Sequence, residues 1–171
     1  MASIFGHGLM AYTVTKLIDR KRMRALIPLA MFSSILPDVD VIAFKFEIPY
    51  EHVLGHRGFS HSIVFALFWA LVLAVMIGKR DKRIYFLVLF FSTVSHGILD
   101  AMTTGGKGVG FFIPFDNERY FFPWRPIKVS PIGIKEFFSD WGLQVIISEL
   151  KYIAVPCIFV LITLALIQKN K

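Results

Sequence analysis

Charge and cysteine are both scarce in this chain of 171 residues. Only 18% of the residues are charged, whereas soluble globular proteins average about a quarter. Apolar residues make up 56% of the chain and the mean hydropathy is +0.63, so the composition excludes an ordinary soluble domain and favours a membrane protein. The one cysteine, Cys157, excludes an intramolecular disulfide and a cysteine-based metal site. Any chemistry must therefore come from histidines and carboxylates.

The apolar residues form five candidate helices. The clearest run, residues 62–78, contains no charged residue and is just long enough to cross a bilayer. The others are residues 5–18, 24–36, 84–102 and 141–167, and Pro37 is a stop signal after the second. The sequence predicts an all-α fold in which residues 1–171 form a single integral membrane domain. We expect a bundle of about five helices with a long structured loop, residues 103–140, on the outer face.

The net charge of +7 is concentrated in short basic segments. When the five helices are threaded up and down, DRKRMR (19–24), KRDKR (79–83) and the lysines near residue 171 fall on one side. The positive-inside rule makes this side cytoplasmic, and anionic lipid then explains the charge without a nucleic-acid partner. All five histidines fall on the opposite, extracytoplasmic side, as do the acidic residues other than Asp19 and Asp81.

Two pairs of residues on that side have the spacing of metal ligands. His96 and Asp100 are four residues apart, which places both on one helix face, where they could bind one cation or form a simple hydrogen bond. Asp38 and Asp40 follow Pro37, and in an extended conformation their carboxylates point to the same side. They could hold a divalent ion or accept backbone N–H groups in a capping turn.

Further histidines complete a candidate metal centre. His56 and His61 come together if the chain turns at Gly58, while His7 and Glu149 lie near the starts of their helices at a similar depth. The predicted ligands are His7, Asp38, Asp40, His56, His61, His96, Asp100 and Glu149. This set exceeds what one ion needs and fits a centre of two divalent ions for phosphoester hydrolysis. Nitrogen and oxygen donors suit Zn²⁺, with Mn²⁺ or Fe²⁺ as alternatives.

The predicted outer loop supplies cations. Arg119 and Arg125 could clamp a phosphate and stabilise charge on its oxygens, or they could anchor lipid headgroups at the membrane surface. Asp38 or Asp40 could orient or deprotonate the attacking water. The predicted catalytic residues are therefore Asp38, Asp40, Arg119 and Arg125.

The order of these motifs resembles a known family. His7 is followed by LPDVD (36–40), HRGFSHS (56–62), HGILD (96–100) and PWRP (123–126), and this combination is similar to the YdjM-like family of prokaryotic membrane-bound metal-dependent hydrolases. The resemblance covers nearly the whole chain. It implies a multi-pass helical protein of the cytoplasmic membrane with a hydrolase site.

A more distant resemblance is to zinc-dependent phospholipase C, through HxxxD and the histidines and aspartates before it. It implies that Asp38 lies near the metals, that Asp100 bridges two ions, and that His96 is a ligand together with His56 or His61. It also implies His7 and Glu149 as outer ligands.

The sequence leaves several hypotheses open. The first is a metal-dependent hydrolase, phospholipase C-like or a phosphatase, that acts on a phosphoester in a membrane lipid or lipid-linked substrate at the outer face. The second is a metal-ion transporter or metal-handling membrane protein without hydrolase activity, which predicts ionisable residues at several depths. The third is a structural membrane protein with one stabilising metal.

Overall fold

The structure, a computed structural model, describes residues 1–21, 23–78 and 81–170. Within these ranges the chain is helical and forms no β-strand, so the predicted all-α fold is confirmed. The helices are α1 (Ile4–Ile18), α2 (Leu26–Ile35), α3 (Ile63–Ile77), α4 (Lys82–Ala101), α5 (Ile134–Phe137), α6 (Asp140–Glu149) and α7 (Val155–Lys169). Three stretches, Leu26–Phe46, Lys82–Ala101 and Asp140–Lys169, are long and apolar enough to cross a membrane, and Ile63–Ile77 is a shorter apolar helix.

Helix α4 lies at the centre of the bundle and packs against α1, α2 and α3. Helix α3 is apolar on all sides, but small residues mark its buried face, namely Ala66, Ala70 and Ala74, one turn apart. Small side chains let helices approach closely, which is how membrane helices gain packing energy. Trp69 on the same helix donates from Nε1 to the Ser33 hydroxyl on α2 at 3.0 Å. The core therefore combines close alanine contacts with a few interhelical hydrogen bonds.

The chain stays helical beyond the end of α2. Leu36–Phe46 continues it as a 3₁₀-helix with Pro37 in the first turn, where the missing proline N–H leaves no hydrogen bond unmade. Pro37 thus ends the α-helical geometry at Ile35 but does not end the helical segment. The extended conformation expected for Asp38 and Asp40 is wrong, because both lie in this 3₁₀-helix.

The last predicted helix is interrupted in the middle. A π-helical turn, Leu150–Ala154, joins α6 to α7. Pro156 follows in the first turn of α7, where a proline ring would clash with the carbonyl four residues earlier in a regular α-helix. The wider π turn accommodates this proline, so α6 and α7 form one continuous helical stretch.

The long segment between α4 and α5 is folded, as expected for the predicted loop. Val109 and Tyr120 exchange two backbone hydrogen bonds of 2.9 Å, and Thr103 and Ile127 form a second, parallel bridge. Val109, Ile113 and Ile127 are buried. This segment packs against the C-terminal end of α4.

The two ends of the bundle differ in character. At one end, here called the basic end, Lys21 Nζ lies 2.6 Å from Asp81 Oδ1 and joins the α1–α2 turn to the start of α4. The opposite end gathers the starts of α1 and α3 with the ends of the α2 extension and α4. Arg22, Lys79, Arg80 and Lys171, on which part of the orientation prediction rests, lie outside the described residues. The orientation of the two ends in the membrane stays a prediction.

Candidate metal centre

Four side chains that could hold a metal ion meet at the end opposite the basic end. Asp38 comes from the α2 extension, His61 from the short 3₁₀-helix Phe59–His61, and His96 and Asp100 from the last turns of α4. All four are buried, and one ligand atom from each lies within 4.8 Å of all the others. We call these four residues the metal cluster.

The distances within the metal cluster suit a single ion. The separations between donor atoms are 3.0 Å for His61 Nε2 and His96 Nε2, 3.3 Å for His96 Nε2 and Asp38 Oδ1, 3.7 Å for His61 Nε2 and Asp38 Oδ1, 3.7 Å for His61 Nε2 and Asp100 Oδ2, and 3.9 Å for His96 Nε2 and Asp100 Oδ2. Tetrahedral ligands at zinc bond lengths stand about 3.3 Å apart. If the four donor atoms shifted by a few tenths of an ångström, they would form a tetrahedral site.

Hydrogen bonds orient both imidazole rings toward the cluster. His96 Nδ1 donates to the Ser34 carbonyl at 2.6 Å, and His61 Nδ1 donates to the Ser60 hydroxyl at 3.0 Å, with Asp40 Oδ2 3.1 Å away as a charge partner. A neutral imidazole with its proton on Nδ1 presents a lone pair at Nε2. The two Nε2 atoms face each other at 3.0 Å, so a proton or a cation is needed between the lone pairs.

The electrostatics of the cluster also favour a cation. Burial acts to lower the pKa of His61, but the neighbouring Asp38 and Asp40 carboxylates outweigh it and raise the pKa to about 9. Both carboxylate oxygens of Asp38 and Oδ2 of Asp100 are buried without a hydrogen-bond partner among the described residues. Buried carboxylate oxygens without donors are costly unless a cation neutralises them. The donor set therefore fits a divalent metal ion.

Asp40 and His56 lie one step outside the metal cluster. Asp40 Oδ1 accepts a 2.6 Å hydrogen bond from His56 Nδ1, while Oδ2 accepts from the Ser60 hydroxyl at 2.6 Å and the Arg57 N–H at 2.9 Å. A 3₁₀-helix turns by 120° per residue, so residues two apart lie on different faces. This is why Asp38 faces the cluster and Asp40 faces the 56–61 loop. Asp40 thus binds that loop and orients His61, as partners of metal-bound histidines commonly do.

His7 and Glu149 occupy different positions around the cluster. The His7 ring stacks on His96 with centroids 3.9 Å apart, and its Nε2 lies 3.4 Å from Asp100 Oδ1. Both nitrogens of His7 are buried without a hydrogen-bond partner among the described residues. The Glu149 carboxylate instead accepts from the backbone N–H and hydroxyl of Ser3, the N-cap of α1. His7 therefore borders the cluster, whereas Glu149 anchors the start of α1.

The two predicted phosphate-clamping arginines are placed apart from the metal cluster. Arg119 donates to the backbone carbonyls of His56 at 2.9 Å and Tyr50 at 2.8 Å, so its guanidinium holds this loop in place. Arg125 is exposed and lies over the Phe121 ring, 4.6 Å from its centroid. Within the described part of the chain, neither arginine forms an ion pair with a cluster carboxylate.

Arg57 belongs to the site but was not singled out from the sequence. Its side chain is 1% exposed, and Nε lies 2.9 Å from Asp100 Oδ2 in an ion pair without hydrogen-bond alignment. The other nitrogens donate to the Gly105 carbonyl at 3.0 Å and the Thr103 hydroxyl at 3.2 Å. No spacing rule identifies this residue. Its position between two predicted histidine ligands is the one signal that could have done so.

Comparison with known proteins places the chain in a family. Residues 1–171 match the family described as YdjM inner membrane protein. The chain belongs to this family. It is also similar to the inner membrane protein YbcI of Escherichia coli (strain K12), with 47% identity over 146 residues that cover 83% of this chain and 82% of YbcI. No solved structure matches the chain. The predicted YdjM resemblance is thus confirmed, and the apolar helices of this YdjM-family protein agree with an inner-membrane location.

Proposed function

We propose that this protein is a membrane-bound, metal-dependent hydrolase that acts on a phosphoester in a lipid or lipid-linked substrate at the outer face of the membrane. The observation that carries the proposal is the metal cluster, whose donor atoms lie 3.0 Å to 3.9 Å apart in five of their pairings. Two imidazoles and two carboxylates are a ligand set for hydrolytic Zn²⁺, with Mn²⁺ or Fe²⁺ as alternatives.

The charges around the cluster favour one ion over the two expected from the sequence. Asp38, Asp40 and Asp100 carry three negative charges, and two cationic groups lie beside Asp100, namely Arg57 and the Met1 ammonium 3.9 Å from Oδ2. The negative charge that remains is no more than one divalent cation can neutralise, and a second ion would leave the buried site strongly positive. Among the described residues, a second ion near His7 would find that imidazole and an Asp100 oxygen that already accepts the Ala2 N–H at 2.8 Å.

Different residues would have different roles in phosphoester hydrolysis. When bound, a divalent cation supplies Lewis-acid catalysis at a phosphoryl oxygen and makes water nucleophilic near neutral pH. Asp38 has the most exposed side chain of the cluster at 8%, although its carboxylate oxygens are buried without a hydrogen-bond partner among the described residues, and substrate and water would therefore approach from its side. Asp38 is therefore placed to accept a proton from that water. Asp40 keeps His61 oriented, and Arg57 holds Asp100.

An apolar cleft supports a lipid substrate. It has a volume of about 350 Å³ and lies between the start of α1, the α2 extension and the segment before α5. Phe5, Val41, Ile132 and Phe137 line it with apolar side chains. Ala2 also lines it and donates its backbone N–H to Asp100. A hydrocarbon chain in this cleft would bring its headgroup close to the cluster.

The distribution of buried polar residues weighs against the transporter alternative. Between the cluster and Asp19 at the basic end, the buried polar side chains of the described helices are hydroxyls: Thr13, Thr15, Ser33, Ser34, Ser92, Thr93 and Ser95. Most donate to a carbonyl one turn earlier in their own helix, as Thr15 does to Ala11 at 2.8 Å. An ion path normally needs ionisable or water-lined positions at several depths. The ionisable residues here gather at one depth.

The test combines metal analysis with a hydrolysis screen. We expect one divalent ion per wild-type chain and hydrolysis of a lipid phosphoester, and we expect Asp100→Ala and the isosteric Asp38→Asn to lose both. His52→Ala is the matched control, because His52 is exposed and lies outside the cluster. It should retain both metal and activity.

Two outcomes would contradict the proposal. Stoichiometric metal without hydrolysis of any phospholipid or lipid-linked phosphoester would leave the metal-handling alternative, which metal uptake into proteoliposomes would then examine. A protein that binds no divalent ion would exclude both functions.

A further inference from the structure

A second cleft lies at the basic end, far from the metal cluster. It is formed between α1 and α7 and has a volume of about 280 Å³. One wall carries Tyr12, Lys16 and Arg20. The other wall, from α7, is formed by the apolar residues Leu161, Leu164 and Ala165 together with the polar Gln168. We call this feature the basal cleft. A wall of cations that faces a hydrocarbon-like wall has the chemistry of a phospholipid near its headgroup.

Two cationic side chains of the basal cleft form no ion pair within the described part of the chain. The Lys16 ammonium lies over the Tyr12 ring, 5.2 Å from its centroid, which holds the charge at the cleft. Arg20 is exposed in the turn after α1. Among the described residues, no carboxylate lies within ion-pairing distance of either side chain. Both cations are therefore available to an anion.

One carboxylate also borders the basal cleft, but it is occupied. Asp19 is 5% exposed, and its oxygens accept the backbone N–H groups of Lys21 at 3.0 Å and Met23 at 2.6 Å. This carboxylate stabilises the α1–α2 turn, so it does not compete for Lys16 and Arg20. The basal cleft keeps a net positive charge.

We propose that the basal cleft binds the headgroup phosphate of an anionic phospholipid, held by Lys16 and Arg20. Its acyl chains would lie along α7, whose Ile162 and Leu166 are 55% and 59% exposed next to the cleft. A soluble phosphate would use the two cations but would leave this apolar wall unused. A bilayer lipid would contact both surfaces, because its charged headgroup can meet the cations while its acyl chains lie against the apolar residues of α7.

The test is native mass spectrometry of the protein released from nanodiscs of equal parts phosphatidylglycerol and phosphatidylcholine. We expect the wild type to retain phosphatidylglycerol preferentially. The double variant Lys16→Gln, Arg20→Gln should lose affinity for it about 30-fold, from the loss of two interfacial cations. The matched control is Lys82→Gln, Arg83→Gln, which removes two exposed cations of the basic end outside the cleft. It should retain the wild-type preference.

Three results would overturn the proposal. An equal loss in both double variants would mean diffuse attraction of the whole basic end. Equal retention of the two lipids by the wild type would exclude recognition of the charge. Competition by millimolar inorganic phosphate would identify a soluble-anion site instead. Helix content unchanged from the wild type, measured by circular dichroism, shows that each variant is folded.

Discussion

Asp38 and Asp40 have different roles although they stand two positions apart. Asp38 contacts the donor atoms of the metal cluster, whereas Asp40 accepts hydrogen bonds from His56, Arg57 and Ser60. The difference arises from the 120° step of the 3₁₀-helix, which turns the two carboxylates to different faces. The Asp40 carboxylate both orients His61 and holds the 56–61 loop, so substitution of Asp40 should disturb the metal cluster.

We expect Asp40→Asn to weaken metal binding about 10- to 100-fold while the protein remains folded. The substitution keeps the size of the side chain but removes the negative charge that lies 3.1 Å from His61 Nδ1 and accepts from the Ser60 hydroxyl. Competition with a chromophoric chelator measures the dissociation constant. Glu51→Gln is the control, because its side chain is 59% exposed in the same region. An unchanged dissociation constant for Asp40→Asn would contradict the assigned role.

Arg57→Met should lower the free energy of unfolding by about 3–5 kcal/mol, because Asp100 would stay buried without its charge partner. Arg57→Lys should recover only part of this loss, since an ammonium cannot reproduce the fork that reaches Thr103 and Gly105. Unfolding in mixed micelles provides the measurement. Arg125→Met, which removes an exposed arginine, should cost less than about 1 kcal/mol. Equal losses at the two positions would refute this account.

The residues predicted from the sequence include all four members of the metal cluster, but the separate roles of the residues around it were not predicted. His96 and Asp100 could be predicted because four residues make about one helical turn, so any helix brings them together. Arg57 could not, since its role depends on a left-handed turn (φ 62°) that points the side chain at a residue 43 positions later. Glu149 was placed at the right depth, but its contact with Ser3 depends on how α6 packs against α1.

At the scale of elements, close packing between α4 and the Phe59–His61 segment positions the metal cluster. A Cβ atom at Gly97 would lie 3.0 Å from the Phe111 ring and 3.3 Å from the His61 carbonyl. We expect Gly97→Leu to push His61 away from His96, so metal content falls while helix content stays the same. Elemental analysis and circular dichroism check the two quantities. Ile98→Leu, at a partly exposed neighbouring position, should behave as wild type, and full metal occupancy in Gly97→Leu would exclude this packing requirement.

The positions of the helices could be read from the sequence, but their irregularities could not. Charge-free apolar runs indicate membrane helices because unpaired charges are costly there. Pro37 was predicted to end its helix and Pro156 was predicted to lie within one, yet the chain continues through a 3₁₀-helix at the first and a π turn before the second. Hydropathy does not indicate whether the chain accommodates a proline by a 3₁₀ turn or by a π turn. The 3₁₀ geometry after Pro37 determines the directions of the Asp38 and Asp40 side chains.

At the scale of the whole molecule, the positive-inside rule predicts that the basic end faces the cytoplasm. In a Cys157→Ala background, we expect Glu51→Cys to react with a membrane-impermeant maleimide from outside the cell. Lys82→Cys should react only after the membrane is permeabilised. Both positions are exposed, so access to the reagent depends on the side of the membrane. The reverse labelling pattern would invert the orientation and leave the metal cluster intact.

The Trp69–Ser33 hydrogen bond makes Trp69 an intrinsic fluorescence probe of metal binding. Ser33 precedes Ser34, whose carbonyl accepts the proton of His96 Nδ1, so the indole lies two residues from a predicted ligand. Fixing His96 on an ion should change the intrinsic fluorescence of Trp69, whereas Trp124 and Trp141 lie on other segments. Metal occupancy of the unlabelled protein can then be followed by emission, with Trp69→Phe as the blank.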